Sequence, residues 1–104
     1  MNIIEYLLVC VSEEGSEVSQ AACKAARFGI SDAHPDRDML PNNEYLVREV
    51  NDLLGVLELL QEYGAPIQGI GDRNAIEAKK VRVKKFMVYS QERGALANPS
   101  TIAV

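Results

Sequence analysis

The fold is decided by the N-terminal stretch of residues 2–28, which reads NIIEYLLVCVSEEGSEVSQAACKAARF. Apolar or small residues recur in it at alternating steps of three and four, which predicts one long amphipathic helix. These positions are Ile4, Leu8, Val11, Gly15, Val18, Ala22 and Ala25. The stretch also carries Glu13, Glu14 and Glu17, and residues three apart share a face of a helix. Gly29 predicts the end of this helix.

A second long helix is predicted from Asn42 or Asn43, both good N-caps, to about Tyr63. Its apolar positions are Leu46, Val50, Leu53, Leu57 and Leu60. Glu49 and Asp52 interrupt this strongly apolar pattern, and they too are three residues apart.

The rest of the chain is predicted to hold one more helix. Residues 30–41 contain two prolines and several turn formers, which indicates a loop. A third helix is expected to begin near Asp72 or Asn74, where Asn74-x-x-Glu77 resembles a capping box, and to end before Gly94.

Length and composition indicate one globular domain, residues 1–94, followed by an extended or disordered tail, residues 95–104. Of the 104 residues 47% are hydrophobic and 25% are charged. The net charge of −4 argues against nucleic acid as a partner. No apolar run is long enough to cross a membrane, and the N-terminus lacks the basic start of a signal peptide. We therefore expect a cytoplasmic protein.

The apolar faces of three helices exceed what so short a chain can bury within itself. We therefore expect an all-α fold in which long antiparallel helices form a bundle completed by oligomerisation. A dimer and a tetramer both satisfy this expectation.

The two acidic pairs predict a metal site. If the first two helices are antiparallel, Glu14, Glu17, Glu49 and Asp52 can converge on one spot. Clustered carboxylates repel each other unless a cation lies between them, and this ligand set suits Mg²⁺ or Mn²⁺. Such a cluster is suited to holding and cleaving phosphates.

The order E-E-x-x-E, followed by E-x-x-D on the next helix, resembles the MazG-like family of all-α nucleoside triphosphate pyrophosphohydrolases, in its short, single-domain phage or bacterial form. The resemblance covers residues 2–64, and the third helix resembles these short members more loosely. Thirty-one residues separate Glu17 from Glu49, which is more than is usual in the family. The longer loop either covers the nucleotide or is an inert insertion.

The resemblance implies hydrolysis of a nucleoside or deoxynucleoside triphosphate between the α and β phosphates. It also implies that Glu14, Glu17, Glu49 and Asp52 hold Mg²⁺. Glu13 is the candidate for the residue that orients or deprotonates the attacking water, although a metal-bridging glutamate is an alternative.

Basic residues of the third helix are candidates for binding the β and γ phosphates. Lys79, Arg82 and Lys85 follow one another at steps of three, while Lys80 and Lys84 form a second pair. The alternative is an ordinary solvated basic face.

Other functions stay open at this stage. A non-catalytic helical oligomer with a regulatory or accessory role would keep the same fold. Close relatives within the superfamily act on dUTP, dCTP or phosphoribosyl-ATP, and no motif here selects among bases or sugars. A di-iron bundle is disfavoured, because the chain has no E-x-x-H pair.

Overall fold

Helices are the main elements of the computed structural model, which describes residues 1–97. The chain forms two compact units, residues 1–68 and residues 69–104. The first contains α1 (Ile3–Phe28), β1 (Ala33–His34), a 3₁₀ helix (Pro35–Arg37), β2 (Leu40–Pro41) and α2 (Asn42–Glu62). The second contains α3 (Arg73–Glu92). The fold is thus mostly helical, as predicted. Of the predicted tail, residues 95–97 lie outside the helices and 98–104 lie outside the described residues.

The ends of α1 agree with the prediction and have clear causes. The Asn2 side chain accepts a hydrogen bond from the backbone N–H of Glu5 at 2.8 Å, and the Glu5 carboxylate accepts one from the Asn2 N–H at 3.4 Å. This reciprocal pair is a capping box. At the other end, Gly29 has a φ of 104°, which favours glycine, and its N–H bonds to the Ala25 carbonyl at 3.0 Å.

Helices α1 and α2 pack together in antiparallel fashion, since residue 14 meets residue 49 while residue 24 meets residue 45. Their contact buries Leu7, Ala21 and Leu60. The inward stripe of α1 includes residues 4, 7, 11, 14, 18, 21 and 25. The predicted stripe was therefore partly wrong, because Leu8 is 52% exposed and Ala22 is also exposed. The first half of α1 is apolar around most of its circumference, so the apolar pattern alone does not select the face that α2 covers.

The segment between α1 and α2 is more ordered than the predicted loop. Strands β1 and β2 form a short antiparallel ladder that pairs Ala33 with Pro41 and His34 with Leu40. The 3₁₀ helix lies between them, and Asp38 and Met39 then turn the chain with φ values of 52° and 59°. The two-residue strands are too short to show the period-two pattern by which strands are predicted.

Asn42 joins the ends of the two helices. It was predicted as a possible N-cap, but Pro41 holds that position and Asn42 is the first residue of α2. Its buried side chain donates a hydrogen bond to the Gly29 carbonyl at 2.8 Å and accepts one from Arg37 at 2.6 Å. One amide thus ties the end of α1, the 3₁₀ helix and the start of α2 together.

The second unit, described by itself, is built on α3. Asp72 is its N-cap and accepts a hydrogen bond from the N–H of Ala75 at 2.8 Å. The predicted pairing of Asn74 with Glu77 does not form, because the Glu77 carboxylate binds Arg73 and Lys80 instead. Across residues 1–97, none of the helices has the length and apolarity needed to cross a bilayer.

Candidate metal centre

Three glutamates converge between α1 and α2. Glu14, Glu17 and Glu49 each offer a carboxylate oxygen, and these three atoms lie within 4.8 Å of one another. Asp52, the fourth predicted ligand, is exposed one turn after Glu49 and stands outside this triad. Its charge still contributes to raising the pKa of Glu14 and of Glu49. Glu13 is exposed beside Glu14.

The triad exists because two glutamates occupy positions in the helix contact that would otherwise be apolar. Glu14 falls on the inward stripe of α1 between Val11 and Val18, and Glu49 is only 4% exposed on α2. Packing of the apolar positions on either side therefore forces these carboxylates together. The sequence carries a signal for this, since Glu14 continues the three-and-four spacing that begins at Leu7. The motif spacing alone did not reveal which glutamates are buried.

Burial and like charge both disfavour the ionised forms of Glu14 and Glu49, so the pKa of each carboxyl is raised. Burial raises the pKa of Glu14, and the negative charges of Glu17 and Asp52 raise it further. Burial also raises the pKa of Glu49, and both a hydrogen bond with Glu17 and repulsion by its charge raise it further. Oε2 of Glu14 and Oε2 of Glu49 are buried, and neither has a hydrogen-bond partner within residues 1–97. Buried polar atoms are rarely left unpaired, so both oxygens require explanation.

The part of the chain that the structure describes supplies no cation to these acids. No lysine, arginine or histidine nitrogen in residues 1–97 lies within 4.0 Å of the carboxylates of Glu14, Glu17, Glu49 or Asp52. A hard divalent cation fits this donor set, because it would neutralise the carboxylates and coordinate the unpaired oxygens.

Gly15 leaves open space beside the triad. A Cβ atom built at this position would meet nothing within 4 Å. Close packing of α2 therefore does not account for this glycine. A glycine between these glutamates was also interpreted as making room for a ligand or another helix, and that interpretation stays a prediction.

The three predicted phosphate-binding residues lie on α3, in the second unit. Lys79, Arg82 and Lys85 are all exposed. Arg82 and Lys85 line a cleft of about 440 Å³ together with Phe86 and Tyr89. Their contact with substrate stays a prediction.

Two basic residues of the first unit, Lys24 and Arg37, were not predicted from the sequence as site residues. Nζ of Lys24 lies 6.0 Å from the centre of the Tyr45 ring, and Cζ of Arg37 lies 4.6 Å from it. The available signal was that Lys24 lies seven residues, or two helical turns, after Glu17. No comparable pattern points to Arg37, which lies in the 3₁₀ helix.

Comparison with known protein families, with curated proteins and with solved structures finds no match to this chain.

Proposed function

We propose that this protein is a Mg²⁺-dependent nucleoside or deoxynucleoside triphosphate pyrophosphohydrolase of the MazG-like type, with Mn²⁺ as a possible substitute. One observation carries the proposal: two glutamates packed between helices, together with Glu17, direct carboxylate oxygens to one point and receive no cation from residues 1–97. The order of the acidic motifs, which resembles that family, supplies the reaction class.

In this proposal Glu14, Glu17 and Glu49 hold the cation, and Asp52 completes the ligand set from the next turn of α2. A cation held by these residues would screen the phosphate charge and polarise the α-phosphorus. The unpaired oxygens of Glu14 and Glu49 support this assignment, because coordination would satisfy both of them.

The reaction consumes one water and one triphosphate. The water oxygen attacks the α-phosphorus, the bond from the α-phosphorus to the bridging oxygen breaks, and pyrophosphate leaves with the bonding electron pair. Glu13 orients the water and accepts its proton. The exposed position of Glu13 beside Glu14 supports this role, because it leaves a carboxylate outside the triad.

Lys79, Arg82 and Lys85 are retained as candidates for binding the β and γ phosphates. Their side chains are exposed and carry no ion pair within the described residues. Positive charge at the leaving pyrophosphate lowers the barrier to its departure.

We also propose that the helices form a bundle between chains, as a dimer or a tetramer. Large apolar side chains of α1 and α2 are exposed, among them Tyr6 at 57% and Val47 at 60%. Contiguous exposed apolar surface is typical of protein interfaces. Light scattering coupled to gel filtration tests this, and a monomer at micromolar concentration would contradict it.

The decisive experiment incubates the purified protein with Mg²⁺ and a panel of standard and modified NTPs and dNTPs, with and without EDTA. We expect monophosphate and pyrophosphate, both abolished by EDTA. Glu17→Gln and Asp52→Asn should abolish turnover while circular dichroism and oligomeric state are retained.

Other products would change the conclusion. Diphosphate and phosphate would keep a hydrolase but move the cleavage position. No turnover, together with no Mg²⁺-dependent nucleotide binding in calorimetry, would overturn the proposal and favour the non-catalytic helical oligomer.

A further inference from the structure

Two cations of the first unit converge on one aromatic ring without forming an ion pair. Lys24 on α1 and Arg37 in the 3₁₀ helix are half-buried, and both approach the ring of Tyr45. Within residues 1–97, neither lies within 4.0 Å of a carboxylate. Nη2 of Arg37 donates to Asn42, while its Nη1 is buried and has no hydrogen-bond partner among the described residues. A fixed guanidinium with an unused donor is suited to binding an anion.

A cleft of about 310 Å³ lies at these cations. It is lined by Lys24, Phe28, Asp32, His34, Asp36 and Arg37. Small-molecule sites in proteins occupy about 300–1,000 Å³, so the cleft is large enough for a compact ligand.

The carboxylates of Asp32 and Asp36, which also line the cleft, do not neutralise its two cations. Asp32 is exposed, and the Asp36 side chain is 87% exposed, whereas both cations are half-buried. The Asp36 carboxylate lies 3.5 Å from Nδ1 of His34, but that nitrogen accepts a hydrogen bond from the Asp36 N–H at 3.1 Å. Water screens the exposed carboxylates more strongly than the half-buried cations.

The cleft and the acidic triad lie on the same side of the α1–α2 pair. Lys24 follows Glu17 by seven residues, which is about 10 Å along the axis with the same facing. Tyr45 precedes Asp52 by seven residues on α2, so these two residues also lie on one face, about 10 Å apart along the helix axis. A triphosphate chain and a lysine side chain together can span this distance.

We infer that the cleft binds the terminal phosphates of the substrate, and hence the leaving pyrophosphate, through Lys24 and Arg37. This inference rests on the proposed function. The Lys24 ammonium donates hydrogen bonds to pyrophosphate oxygens, and the half-buried guanidinium of Arg37 helps to neutralise the charge that develops when the bond to the α-phosphorus breaks. The first unit then supplies both the cation ligands and the binding site for the leaving group, so this inference is an alternative to the assignment of Lys79, Arg82 and Lys85 to these phosphates.

The test measures inorganic pyrophosphate binding by isothermal titration calorimetry, with and without Mg²⁺. Lys24→Gln should weaken pyrophosphate affinity about tenfold or more, since charged hydrogen bonds have that strength. Arg27→Gln is the matched control, because it removes the same charge from an exposed position on the same helix, and it should change affinity less than threefold. Arg37→Lys keeps the charge but loses the fork geometry, and it should weaken pyrophosphate binding while circular dichroism is unchanged.

Three results would overturn the inference. One is no pyrophosphate binding to the wild-type protein. Another is equal weakening by Lys24→Gln and Arg27→Gln, which would indicate general electrostatics. The third is a loss of nucleoside monophosphate affinity in Lys24→Gln with unchanged pyrophosphate affinity, which would assign the cleft to the base.

The inference and the proposed function can fail separately. If no triphosphate is hydrolysed but pyrophosphate binding depends on Lys24, the anion site is retained and the activity is rejected. If triphosphates are hydrolysed while Lys24→Gln binds pyrophosphate like the wild type, the activity is retained and the cleft assignment is rejected.

Discussion

Glu49 on α2 and Glu77 on α3 are the same residue type in opposite surroundings. The Glu77 carboxylate contacts Nη2 of Arg73 at 2.6 Å and Nζ of Lys80 at 3.3 Å, and its side chain is 52% exposed. Glu49 is 4% exposed and its neighbours are Glu14 and Glu17. One of its oxygens has no hydrogen-bond partner in the part of the chain that the structure describes. Both glutamates lie on helices with charged residues close by. Burial and the sign of the neighbouring charges separate a surface ion pair from a candidate site.

The energetic consequences of these surroundings differ in sign. An exposed pair at a spacing of three or four stabilises a helix by about 0.2–0.5 kcal/mol. A buried carboxylate among like charges destabilises the fold unless it takes up a proton or a cation. A cation bound at the triad would therefore act on both stability and activity, whereas Glu77 should affect neither by much.

Loss of turnover is the largest effect expected. Glu49→Gln should reduce kcat/KM for the preferred triphosphate by at least about 1,000-fold, because removing a cation ligand costs several kcal/mol of transition-state stabilisation. Glu77→Gln should change kcat/KM less than twofold. Steady-state assays of pyrophosphate release measure both. Comparable losses in the two variants would mean that activity does not depend on the triad.

Stabilisation by Mg²⁺ is the next largest effect. A cation that binds only the folded state raises the free energy of unfolding by about 1.4 kcal/mol at ten times its Kd and about 2.7 kcal/mol at one hundred times. In a chain of this size the first value corresponds to a Tm increase of several degrees. Calorimetric melting should show this increase in the wild type and in Glu77→Gln, and lose it in Glu14→Gln. An equal increase in all three would place the cation elsewhere.

The pH dependence of stability in EDTA should be smaller than the Mg²⁺ effect. The folded-state pKa of Glu14 and of Glu49 is raised above the ordinary value of 4.5, so the folded state binds protons more tightly than the unfolded state. The stabilising contribution of these protons is fully present below pH 4.5 and is lost as pH rises through the raised pKa values.

Urea unfolding of the metal-free protein measures this loss. The free energy of unfolding of Glu49→Gln should exceed that of the wild type increasingly as pH rises from 4.5 to neutrality. A constant difference across that range would show that repulsion at Glu49 is absent. Saturating Mg²⁺ should remove the pH dependence of this difference, because cation binding replaces the protons.

The sequence predicted the helices well because their signals are local. The stop at Gly29 and the start near Asp72 act within one turn, so these helix bounds followed from short-range chemistry, whereas the cap predicted at Asn42 or Asn43 is Pro41. The convergence of three of the four predicted acids followed from spacing together with antiparallel packing, while Asp52 stands outside the triad. The face of α1 that α2 covers did not follow, since it depends on which of two overlapping apolar stripes the partner helix selects. The side-chain bonds of Asn42 join residues 29, 37 and 42, and no local pattern encodes such a connection.

Substitution of Gly15 is expected to have the smallest effect. It tests directly whether a ligand occupies the open space beside the triad. Gly15→Ala and Gly55→Ala should each raise the free energy of unfolding by about 0.5–1 kcal/mol, because both glycines are helical and a Cβ at either position meets nothing within 4 Å. Gly15 directly follows Glu14, a member of the triad, whereas Gly55 lies three residues after Asp52, which stands outside the triad. We therefore expect Gly15→Ala alone to raise KM for the triphosphate, by a few-fold, since its methyl group enters the space that the ligand would use. Equal KM values in the two variants would show that the triphosphate does not contact the surface beside Glu14. The ligand would then have to approach the triad from the side of Glu17 and Asp52.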